Sequence, residues 1–114
     1  MPLRVGFSMF RKDMLERELE GIEKLLPYLG VERVILIGDM ITGKYTQDSA
    51  IQLVVVHETV QPFGRRADFF SYHLDSAVAV DTWVYTPEEF QELQGSLPAL
   101  YQACHQGRVL YDAA

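Results

Sequence analysis

Apolar residues recur early in the chain at a helical interval. Leu15, Leu19, Ile22, Leu26 and Leu29 are spaced by four, three, four and three, which makes one stripe of a helix with 3.6 residues per turn. Glu16, Arg17, Glu20, Glu23 and Lys24 fill the other faces. The spacing predicts a helix from Asp13, with Asp13 as its N-cap. Pro27 in its last turn and Gly30 just beyond are stop signals. Residues 3–10 are apolar but short, and fit either a small strand or an N-terminal arm.

Beyond Gly30 the period changes. "VERVILI", Val31 to Ile37, reads as a strand. A turn rich in Gly and Thr follows, with one helical turn at Met40-Ile41-Thr42. Ala50 to Val56 is a second strand, with Ile51, Leu53 and Val55 on one face and Ala50, Gln52, Val54 and Val56 on the other. Residues 58–66 form a loop containing Pro62 and Gly64. "RADFFSYHL" predicts a short helix or turn with Phe69, Phe70 and Leu74 facing inward. Ala77 to Tyr85 is a third strand. Thr86, Pro87 and Glu89 spell a helix start, with a hydroxyl cap, a proline at the first turn and a carboxylate three residues after the cap. Leu97 to Gln106 is a further helix, ended by Gly107, and "RVLYD" is a short strand. Three strands with short connections suggest an α+β fold, a small mixed sheet with helices against one face.

Composition narrows the function classes. The chain has 114 residues, 48% hydrophobic and 23% charged, which is the profile of one ordinary globular domain over residues 1–114. Its formal net charge of −6 disfavours autonomous binding of nucleic acid or anionic membrane, which needs phosphate neutralisation. Arg11-Lys12 and Arg65-Arg66 are local basic spots expected on the solvated surface. Cys104 is the single cysteine, so neither an internal disulfide nor a cysteine-rich zinc site can form. It fits a helical pattern as a small apolar filler. No stretch approaches the ~20 apolar residues of a membrane span, and the start "MPLRVGFSMFRKDM" lacks the apolar run of a signal peptide. The expected compartment is the cytoplasm.

The candidate chemistry lies in "IGDMITGKYTQDSAIQLVVV", Ile37 to Val56. Gly38 after a strand and Gly43 five residues on let backbone N–H groups approach an anion. A helical turn near Asp39 would add a partial positive charge. The same glycines serve equally in a tight strand-to-strand connection. Positions two apart on a strand share a face, so carboxylates there would converge on divalent metal. Asp81 stands in the middle of the third strand, where Asp is disfavoured. Two readings stay open for it, a cleft or remnant-site carboxylate and a satisfied or edge-exposed Asp. His57, His73 and His105 are far apart, and His57 reads as a polar strand end. A Ser49–His57–Asp81 triad has no nucleophile elbow behind it. Trp83 and Tyr85 alternate with Asp81 on one strand face, placed to stack on a base or to fill an interface or core.

This order and spacing resembles the minimal nucleotidyltransferases of the DNA polymerase beta superfamily. Their motif is Gly-Ser, three residues, Gly, six residues, then Asp-x-Asp in an apolar strand. Gly38 and Gly43 match the glycines, and Ser49 matches the serine before the acidic pair. Ala50 and Gln52 fall on the two metal-binding Asp positions, and Asp81 on the third carboxylate. The ending "LPALYQACHQGRVLYD" resembles the family's last helix and tail, so the likeness runs from about residue 13 to residue 112. It implies a nucleotidyltransferase-like fold and, in an active member, nucleotide transfer from a nucleoside triphosphate on Mg²⁺.

The departures fall on the chemistry. Ala50 offers no ligand atom, and Gln52 offers only a neutral carbonyl oxygen. Asp81 alone cannot position two metals. Asp39 replaces the family's serine and sets a carboxylate toward polyanionic phosphate, a repulsion on the order of several kcal/mol in a partly dry cleft. Lys44 is the one nearby cation. The expectation is a vestigial phosphate turn of Gly38, Asp39, Gly43, Lys44 and Ser49, with no catalytic residue, no metal and no cofactor. Mg²⁺ and a nucleoside triphosphate would enter only with residual transferase activity or as a nucleotide-sensing ligand. The resemblance implies an antitoxin-like binding module paired with an all-helical HEPN-type protein. Self-association is the other possibility, and Trp83, Tyr85, Phe69, Phe70 and Tyr101 are the surfaces expected to carry contact.

Overall fold

The structure is a computed structural model; it describes residues 2–114, with side chains from Met9 onward. The elements run α1 (Pro2–Leu25), a 3-10 turn (Leu26–Tyr28), β1 (Arg33–Ile37), α2 (Asp39–Thr42), β2 (Ile51–Val56), α3 (Phe63–His73), β3 (Val80–Tyr85), α4 (Pro87–Ser96), α5 (Pro98–Gln106) and β4 (Arg108–Asp112). The fold is α+β, a small mixed sheet with helices packed against it. Strand order is β3-β2-β1-β4. β1 is antiparallel to both of its neighbours, and β2 is parallel to β3.

The alternation along β2 separates two cores. Ile51, Leu53 and Val55 join Val34 and Leu36 beneath α1 and α3, where Leu15, Leu19, Ile22, Leu26, Phe70 and Leu74 are buried. Val54, with Ile35, Ile37 and Tyr85, meets Leu93 of α4 and the half-buried Leu100, Ala103 and Cys104 of α5. Helices therefore cover both faces rather than the one expected. The cause is Val54 and Val56, which make the second face of β2 as buried as the first, as a two-sided strand requires.

Two local expectations change and a third holds. α1 begins at Pro2, so residues 3–10 continue the helix and Asp13 lies inside it rather than capping it. Phe69 is 41% exposed while Phe70 is fully buried, because adjacent helical positions point about 100° apart. The Thr86 start is a complete capping box: the Thr86 hydroxyl accepts from the Glu89 N–H at 3.2 Å, and the Glu89 carboxylate accepts from the Thr86 N–H at 2.8 Å. Among the described residues, no helix is long and apolar enough to cross a membrane.

Candidate functional site

Gly38 ends β1 with φ 86° and ψ −148°, a combination open only to glycine. Its carbonyl accepts from the N–H groups of Ile41 and Thr42 at 2.9 and 3.1 Å, so the backbone winds directly into α2. Gly43 closes that turn in the left-handed region, φ 77°, with its N–H on the Asp39 carbonyl at 2.9 Å. Both glycines stand where the sequence puts them, for the geometric reason it supplies.

What fills the turn comes from this chain. Ile37 pairs with Gln52 across β1 and β2, which sets the Gln52 side chain beside Gly38. A Cβ built on Gly38 would fall on Gln52 Oε1. The hollow that the missing side chain leaves is thus taken by the glutamine amide.

Asp39 is engaged as well. Ser49 is 3% exposed, and its hydroxyl donates to Asp39 Oδ2 at 2.7 Å. The same hydroxyl accepts from the Thr46 N–H at 2.8 Å. The Ser49 carbonyl accepts from Arg11 Nε of α1, also at 2.8 Å. The buried hydroxyl thus both donates and accepts, and the Ser49 carbonyl is paired as well, as burial demands. Lys44 is exposed at the rim, its N–H on Thr42 Oγ1 at 3.3 Å.

The three metal positions do not assemble a metal site. Ala50 is half-buried and carries no donor. Gln52 and Asp81 are direct partners across β2 and β3, but Gln52 turns its carbonyl over Gly38, and Asp81 is exposed on an edge strand. Among the described residues, no three His, Cys, Asp or Glu side chains cluster to hold a metal. The donor set is one carboxylate and one neutral amide, which does not fit a hard divalent cation seeking several anionic oxygens.

The other candidates separate in space. Ser49 precedes β2 and His57 follows it, roughly 25 Å of extended chain apart, so the triad does not form. His57 stacks on Phe69 at 6.3 Å and meets the edge of Phe70 at 6.2 Å. Its Nδ1 is buried without a partner among the described residues. Trp83 and Tyr85 pack on α4 and α5; Tyr85 is core, and Trp83 is half-buried at its margin. Tyr85 and Phe70, both expected as contact surface, are buried. Burial also raises the Cys104 thiol above its ordinary pKa of 9.0, consistent with an inert packing role.

Sequence reasoning missed Arg66. Expected on the solvated surface, its side chain is only 10% exposed. It donates to the Gln61 carbonyl at 2.8 Å, to the Val84 carbonyl at 3.2 Å and to both Glu89 carboxylate oxygens. The signal was the capping-box glutamate: a fixed carboxylate attracts a fixed guanidinium.

No protein-family model matches the chain. No curated protein matches it either. Among solved structures, a chain of "Crystal structure of the toxin-antitoxin with AMP-PNP" is similar at TM-score 0.48 and 19% identity, over 80% of this chain and 73% of that one.

Proposed function

We propose that this chain is a nucleotidyltransferase-like domain whose transfer site has been given over to structure, and that it works as an antitoxin-like module binding a protein partner. The carrying observation is the turn filled from within. Gln52 Oε1 occupies the hollow over Gly38, and Asp39 is bound to Ser49. A triphosphate entering here would displace the amide and then face a carboxylate, with the exposed Lys44 as the cation on the turn itself. The partner half of the reading draws on exposed apolar side chains around α3: Phe63 at 49%, Phe69 at 41% and Tyr72 at 82%. An all-helical HEPN-type protein is the partner class we propose.

Thermal denaturation with each of ATP, GTP, CTP and UTP, with Mg²⁺ or Mn²⁺, tests the reading. A ligand at a hundredfold excess over its Kd stabilises by about 2.7 kcal/mol, a shift of several degrees for a domain of this size. The expected result is no shift. A clear shift with any nucleotide overturns the non-binding site. The double variant Ala50→Asp, Gln52→Asp restores two carboxylates beside Asp81 and vacates the hollow, and should gain measurable Mg²⁺ affinity. No gain would count against placing these three positions as a former metal site.

A further inference from the structure

We draw no further inference here: the strongest candidate, the groove of about 710 Å³ where α4 and Tyr101 of α5 meet the start of β1 and the end of β4, has its one cation, Arg33, already set against Asp112 and the Phe90 ring, and nothing in the structure shows what covers it.

Discussion

Gly38 and Gln52 form a matched pair, and the match can be measured. Gly38→Ala imposes a backbone conformation that L residues avoid and drives a methyl into Gln52. It should cost about 2–4 kcal/mol. In a Gln52→Ala background the collision is gone and the backbone strain stays, so the same change should cost about 1 kcal/mol or more less. A double-mutant cycle by denaturant unfolding reads the difference. Equal costs in both backgrounds would mean that the amide does not occupy the hollow. The glycines and the missing carboxylates were legible in the sequence, because Gly and Ala state what they lack. The closure of the turn was not. It depends on β-sheet register, which brings Gln52 beside Ile37, and on a hydroxyl–carboxylate bond between residues ten apart. The sequence treated Gln52 as a weak metal ligand and Ser49 as a phosphate-turn relic; in the structure they fill and brace the turn.

At the scale of elements, the join between α3, β3 and α4 rests on Arg66 and Glu89. The Glu89 carboxyl is held below its ordinary pKa of 4.5, first by its hydrogen bond from Arg66 and next by the Thr86 N–H. A lowered carboxyl pKa contributes stability in full above 4.5, which is lost as pH falls through the lowered value. Glu89→Ala leaves the mostly buried Arg66 without its carboxylate and should cost about 2 kcal/mol near neutral pH. The gap between wild type and variant should close on acidification, followed by thermal melts at descending pH. A gap that persists in acid would place the loss elsewhere than in the ionised pair. Most elements could be read from period and punctuation, α4 most clearly because its capping box is local. The sequence pattern shows only the second half of α1. Leu3, Val5, Phe7 and Met9 alternate, which mimics a strand, and the four-three stripe begins only where the helix meets the sheet. Arg66 is hard to read from sequence because its partners lie on three other segments, the capping-box Glu89 being the one signal.

For the whole molecule, both cores respond to alkali in the same direction. Burial is the largest cause raising both Tyr45 and Tyr85 above 10.0, and the Cys104 thiol beside Tyr85 is raised above 9.0. Raised values hold the neutral forms in the fold. Their contribution is complete below the ordinary values and is lost as pH rises through the raised ones. Melting temperature should therefore fall steadily above about pH 10, and Tyr85→Phe should flatten that fall while changing stability at pH 8 by less than about 1.5 kcal/mol. An unchanged alkaline slope in Tyr85→Phe would remove Tyr85 as a source. The α+β class was legible at this scale because strand and helix periods are local. Coverage of both faces was not, since it turns on where α4 and α5 settle. The central place of β1 also has a meaning in time. Its second partner, β4, lies roughly seventy residues later in the chain. At translation rates of about 5–20 residues per second, β1 and the strands already beside it wait several seconds for closure. Through that interval Ile35 and Leu36 border an open seam. The nascent chain is then most in need of shielding, and a ribosome stalled before Arg108 would release a product prone to aggregate.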